Sequence, residues 1–133
     1  MSGTHLQIGE VAERTGLSIK TIRHYDEVGL VAPSARSAGG FRLYTDADVD
    51  RLFAIRRMKP LGFTLDEMGE LLRSLAVLDD PGCTEAERDT ARTYLADCHT
   101  RATQACEKLS IQLDYARELT AQLSEFAPGP GGD

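Results

Sequence analysis

From Leu95 onward the positions Cys98, Ala102, Ala105, Leu109, Gln112, Ala116, Leu119, Leu123 and Phe126 follow one another in alternating steps of three and four. Nine of these ten positions are apolar or small, Gln112 being the exception. Such an alternation, held over more than four heptads, is the spacing of a coiled-coil seam. Thr84 and Glu87 supply a capping box at its start. A helix from Glu85 to Phe126 extends about 63 Å. It cannot bury its seam on a domain of the size that precedes it, so it demands a partner helix. The competing arrangement folds the helix back on its own domain. The seam makes Leu95, Cys98, Ala102, Ala105, Leu109, Ala116, Leu119 and Leu123 candidate dimerisation residues.

The other half of the chain carries a different signal. Ile8, Val11 and Ala12 repeat at helical spacing, and Gly16 is where that helix can stop in a left-handed turn. Ser18 follows as an N-cap, with Ile19 and Ile22 on the buried side of a second helix. On its other side Lys20, Arg23, His24 and Glu27 are linked by three- and four-residue steps and share one face. Two short helices joined by a glycine-containing turn form a helix-turn-helix, whose second helix suits a major groove. Leu30, Val31 and Pro33 then leave the helix. Arg36 and Phe41–Tyr44 flank Ser37-Ala38-Gly39-Gly40, a hairpin turn between two short strands. Alternation puts Arg42 and Tyr44 on one strand face and Phe41 and Leu43 on the other, apolar one. This is a wing, able to lay Arg36, Arg42 and the Tyr44 hydroxyl against phosphates.

These residues resemble the MerR family of bacterial transcription regulators. The resemblance is carried by Ile8-Gly9-Glu10-Val11-Ala12, Thr15-Gly16-Leu17-Ser18, Thr21-Ile22-Arg23-His24-Tyr25-Asp26, Gly29-Leu30, Gly40-Phe41-Arg42-Leu43-Tyr44 and Leu61-Gly62-Phe63-Thr64-Leu65-Asp66-Glu67. They cover roughly the first half of the chain in the family's order and spacing, which is more specific than a lone helix-turn-helix. The chain departs from the family pattern at His24, commonly an aromatic, and at Gly39, commonly Asn. The resemblance implies an antiparallel coiled-coil homodimer on double-stranded promoter DNA. It also implies that the dimer distorts an overlong promoter spacer so that RNA polymerase can use it. The candidate DNA contacts are Ser18, Lys20, Thr21, Arg23, His24, Tyr25, Arg36, Arg42, Tyr44 and Lys59. Tyr25 has two compatible roles, a core ring and a hydroxyl reaching the backbone.

Thr45-Asp46-Ala47-Asp48 starts a third helix, with Val49, Leu52, Phe53 and Ile55 inside, Pro60 at its end, and Arg56, Arg57 and Lys59 in its last turn. Lys59 precedes Leu61-Gly62-Phe63, which is similar to the family's second wing. Thr64-Leu65-Asp66-Glu67 caps a fourth helix with Leu65, Met68, Leu72 and Leu75 as its stripe. Asp79-Asp80-Pro81-Gly82 marks the boundary before the long helix. The expected fold is all-α with a small β-hairpin wing. A winged helix-turn-helix domain at 1–75, a linker at 76–84, a coiled-coil dimerisation helix at 85–127 and a flexible tail at 128–133 follow.

The formal net charge of −6 argues at first against nucleic acid. Residues 1–75, however, hold ten Lys/Arg and ten Asp/Glu, whereas 76–133 hold five against eleven, which carries the whole deficit. Many acids of the first half fall at or near helix starts, where they favour the dipole, so basic faces remain free. Three cysteines without paired spacing suit a reducing cytoplasm. No apolar run approaches the ~18 residues of a membrane span. Enzyme signatures, a cofactor loop and a metal-ligand spacing are absent, so neither catalysis nor a bound metal or cofactor is expected. Cys98 and Cys106 are expected as small packing residues, and Cys83 as the exposed, oxidisable thiol. The alternative function is an architectural or recombination accessory protein that bends DNA; a coiled-coil adaptor with a vestigial wing is a third possibility.

Overall fold

The computed structural model describes residues 5–128; of the tail expected at 128–133, all but Pro128 lies outside them. A two-residue strand, β1 (Leu6–Gln7), leads into α1 (Ile8–Thr15) and α2 (Ile19–Glu27). The hairpin β2 (Ala35–Arg36) and β3 (Arg42–Tyr44) follows, then α3 (Asp46–Met58) and a single 3₁₀ turn, Lys59–Leu61. Two further helices, α4 (Leu65–Asp79) and α5 (Glu85–Leu123), complete the chain up to a last 3₁₀ turn at Ser124–Phe126.

The turn between α1 and α2 is closed by several independent bonds. Gly16 takes φ +72° and its N–H donates to the Ala12 carbonyl at 2.9 Å, a left-handed stop that costs glycine nothing. Thr15 is fully buried; its hydroxyl donates to the Val11 carbonyl at 2.8 Å and accepts from the Leu17 N–H. From α3, Arg56 donates Nη1 to the Thr15 carbonyl at 2.8 Å. A Cβ at position 16 would stand 3.0 Å from that guanidinium. The Ser18 hydroxyl then accepts the Thr21 N–H at 3.0 Å and starts α2, as its identity predicts.

The sheet is antiparallel in the order β1-β3-β2, with Leu6 opposite Tyr44, Ala35 opposite Leu43, and Arg36 opposite Arg42. Helices α3, α4 and α5 all begin with a complete capping box, at Thr45/Asp48, Thr64/Glu67 and Thr84/Glu87. Asp48 does more than cap. It is fully buried, and it also accepts from the Ser34 N–H and hydroxyl (3.2 and 2.6 Å) and pairs with Arg51. Burial alone would raise its carboxyl, but the bonds from Ser34 and Thr45 and the charge of Arg51 outweigh it and hold the group below its ordinary value.

One core gathers Val11, Ile22, Tyr25, Tyr44, Leu52 and Ile55 with Phe63 and Met68, and extends to Cys98 on α5. Each fully buried aliphatic such as Leu52 contributes on the order of 1.5–3 kcal/mol. The stripe expected on α4 holds at Met68 and, half-buried, at Leu72, but Leu65 and Leu75 are exposed. The inward face instead includes Gly69 and Ser74, because α4 packs against both α3 and α5 and one 3/4 stripe cannot serve two neighbours. The helix also runs on past residue 75 to Asp79, so the segment between helices shrinks to 80–84.

The long stripe on α5 is divided. Ala91 and Cys98 are buried and Tyr94, Leu95, Ala102 and Ala105 half-buried, whereas every residue from Cys106 to Pro128 is exposed. Its first half, up to Ala105, folds back on its own domain, mainly on α4, the arrangement the sequence pattern disfavoured. A heptad stripe does not distinguish an intramolecular neighbour from an intermolecular one, and α4 supplies the first. Cys98 in particular belongs to the protomer's own core rather than to a free seam. No helix among the described residues is long and apolar enough to cross a membrane.

Candidate nucleic-acid interface

Helix α2 buries Ile22 and Tyr25 and turns Lys20, Arg23 and His24 outward. Ile19, expected inside, is 39% exposed. Lys20 and Arg23 make no ion pair among the described residues, so both cations are available to an external anion. Thr21 is half-buried. Between α2 and the loop after α3 lies a cleft of about 710 Å³, walled by Lys20, Thr21, His24 and Tyr25 on one side and by Lys59 and Phe63 on the other. The Lys59 ammonium stands 5.9 Å from the centre of the Tyr25 ring, at the outer reach of a cation–π contact. Tyr25 is 3% exposed: its ring belongs to the core while the side chain still lines the cleft.

The wing closes on Ser37: its N–H donates to the Phe41 carbonyl (2.9 Å), its carbonyl accepts from Gly40 (2.9 Å), and its hydroxyl accepts from the Phe41 N–H (3.1 Å). Arg36 and Arg42 face each other across the two strands, and both reach the same carboxylate oxygen of Asp26 at the end of α2, at 3.1 and 2.7 Å. The Asp26 hydrogen bond, against the cost of burial, holds the Arg42 guanidinium above its ordinary value.

Tyr44 corrects the expected wing. It is fully buried, and its hydroxyl finds no hydrogen-bond partner among the described residues; no phosphate can reach it. Nor is the Phe41 and Leu43 face a buried one, for Phe41 is 69% exposed and Leu43 half-buried. The reason is β1. With Leu6 opposite Tyr44, β3 becomes the central strand and its Tyr44 side turns into the core. Burial, followed by the charge of Asp26, raises the Tyr44 phenol.

The family model described as "MerR HTH family regulatory protein" matches residues 6–75, and a second, "MerR, DNA binding", matches 49–114. The chain belongs to the MerR family of helix-turn-helix regulators. That is a family of transcription regulators, not of enzymes. The HTH-type transcriptional regulator CueR of Salmonella typhimurium is 32% identical over 128 residues, covering 96% of this chain and 83% of CueR. The HTH-type transcriptional activator TipA of Streptomyces coelicolor is 47% identical over 74 residues, 56% of this chain, which spans 27% of TipA's length. Among solved structures, PbrR691 from Ralstonia metallidurans CH34 in complex with lead(II) aligns with TM-score 0.53 at 32% identity, covering 87% of this chain and 84% of that one. The fold also matches HiNmlR, a MerR family regulator lacking the sensor domain, bound to promoter DNA (TM-score 0.67, 21% identity, 92% and 90% covered).

Within this MerR-family chain, sequence reasoning passed over two clusters beside the predicted contacts. Asp26 was visible only as part of a motif; nothing in the order of residues says that a carboxylate 10 and 16 positions upstream will meet both wing arginines. The second cluster lies behind the Lys59 loop. Arg101 of α5 forks onto both oxygens of Glu67 (2.9 and 3.2 Å) and covers the Phe63 ring at 4.7 Å. The Tyr94 hydroxyl donates to the Glu67 carbonyl at 3.1 Å. Arg101, with the Thr64 backbone N–H, holds the Glu67 carboxyl down to about 2. Burial, followed by the contact with Cys98, pushes Tyr94 up to about 12. Together these residues fix the second loop to the long helix.

Cys98 packs in the core as expected, but the other two cysteines depart from expectation. Cys83 is half-buried, its thiol donates to an Asp80 carboxylate oxygen at 3.5 Å, and burial followed by that contact pushes it up. Cys106 is the exposed thiol. Among the described residues no three His, Cys, Asp or Glu side chains gather to hold an ion.

Proposed function

We propose that this chain acts as a homodimer that binds promoter DNA sequence-specifically and controls transcription by distorting the spacer between promoter elements. The observation that carries the proposal is the outward face of α2, where Lys20 and Arg23 have no ion-pair partner among the described residues and Lys20 and His24 stand with Lys59 across one cleft. Lys20, Arg23 and His24 enter the major groove. The Ser18 N-cap and Thr21 lie at the helix N-terminus, where a backbone phosphate is favoured. Arg42, opposite Arg36 in the wing, and Lys59 take phosphates on either side. The likeness to CueR, a transcriptional regulator, and to TipA, a transcriptional activator, supports this reading.

The dimer follows from the other end of the molecule. Leu109, Leu113, Leu119 and Leu123 on α5 and Phe126 in the turn that follows it are 39–80% exposed, more apolar surface than a lone protomer leaves bare. An antiparallel mate, as family membership suggests, covers it with Leu109, Ala116, Leu119 and Leu123 in the seam. Wing and groove contacts hold two half-sites, while deforming the uncontacted centre costs a few kcal/mol that binding offsets. RNA polymerase at that promoter is the second macromolecular partner, and the cytoplasm the place of action.

The test is a gel-shift titration over a salt series. Arg23→Ala should weaken operator binding by about 1–3 kcal/mol and relax preference at one position. Arg42→Ala should weaken operator binding by the loss of one phosphate contact and reduce the salt slope by about one. Parent-like binding by both variants would refute the docking scheme. An architectural DNA-bending protein would bind alike but leave run-off transcription from the footprinted promoter unchanged.

A further inference from the structure

Arg36 and Arg42 sit directly opposite each other in antiparallel strands, a placement in which like charges repel. The repulsion is relieved from outside the sheet. Asp26, whose side chain is 13% exposed, accepts from Arg42 Nε at 2.7 Å and from Arg36 Nη2 at 3.1 Å through one oxygen. The two arginines are left in different states. Arg36 also turns Nη1 toward the Gly40 carbonyl at 3.4 Å, so both its terminal nitrogens are directed at the protein. Arg42 engages only Nε, and its two terminal nitrogens have no protein partner among the described residues. Two adjacent terminal nitrogens on a guanidinium held at its third are the fork that recognises a phosphate through two parallel bonds.

We infer that Asp26 is a positioning residue for DNA recognition: it ties the wing to the end of α2, aims the free fork of Arg42 at a backbone phosphate, and converts Arg36 into a strap for the wing turn. This rests on the DNA-binding function proposed above. The carboxylate carries an electrostatic cost, because it lies close to approaching phosphates. A negative charge retained on a DNA-binding face lowers affinity for any duplex. What it supplies is geometry: the wing and the reading helix dock in one fixed relation, so that phosphate contacts form only when the helix is in register. Asp26 therefore favours discrimination over raw affinity.

The experiment uses the full chain and two duplexes, one selected by the parent protein from a random-fragment pool and one scrambled from it. Asp26→Ala should weaken binding to the selected duplex about tenfold and leave binding to the scrambled duplex unchanged or slightly tighter. In a background already carrying Arg36→Ala and Arg42→Ala, the same substitution should have no further effect, because Asp26 acts through them. Asp26→Asn keeps the shape and removes the charge. It should show the same two patterns at smaller amplitude, and it keeps the test decisive if the alanine variant melts early. Equal losses on both duplexes, or a loss that persists in the arginine-free background, would overturn the assignment. A parent protein that selects no duplex would remove the DNA-binding function and this inference together; a parent that selects one while the Asp26 losses add would remove the inference alone.

Discussion

At the scale of single residues, the interface is set by which polar atoms are already engaged inside the protein. Among the described residues Arg23 and Lys20 have no ion-pair partner, Arg36 is held, and Tyr44 is sealed in the core with an unpartnered hydroxyl. That last point separates two accounts by one oxygen atom. If the hydroxyl is buried and unbonded, Tyr44→Phe removes a desolvated polar group and retains the ring, so stability should stay level or rise by up to about 1 kcal/mol. Thermal unfolding and operator titration should show a midpoint no lower than the parent's and unchanged affinity. A loss of affinity with the midpoint preserved would return the hydroxyl to the DNA surface. The misassignment of Tyr44 has a physical origin. Alternation along Phe41–Tyr44 tells which residues share a face but not which face is wet. The strand that decides it, Leu6–Gln7, is too short to show a period. Ser18, by contrast, was legible as a cap because its chemistry is local, and so were Thr45/Asp48, Thr64/Glu67 and Thr84/Glu87.

At the scale of elements, α5 does two jobs that one hydrophobic stripe conceals. Up to Ala105 it is part of the protomer, packed on α4 and tied through Tyr94 and Arg101 to Glu67. From Cys106 it is bare. The stripe is periodic throughout, and periodicity is blind to the identity of the neighbour; only the presence of α4 alongside marks the change. The division predicts unequal outcomes for similar substitutions. Leu109→Glu lies in the bare part, where a charge meets no core of its own protomer. It should leave the fold and its thermal midpoint intact as a monomer, yet bury unpaired charges in a dimer. Light scattering should report a protomer-sized particle that no longer binds the operator, since two linked half-sites have become independent. A parent-like dimer would remove Leu109 from the seam.

At the scale of the whole molecule, charge and shape agree on a division of labour. The −6 balance belongs to residues 76–133, away from the helix-turn-helix, and the exposed cations of α2 lie on the neutral half. The Arg101–Glu67–Phe63 contact links the two halves at the second loop and ties the long helix to the DNA-binding domain. The proposed dimer acts on DNA by deforming what lies between its half-sites. The most direct test is hydroxyl-radical footprinting with run-off transcription on a promoter retrieved by the protein, in versions whose spacer differs by single base pairs. The account predicts two symmetric protected half-sites and a transcriptional effect that depends steeply on spacer length. Protection of a single half-site, or an effect indifferent to the spacer, would contradict it.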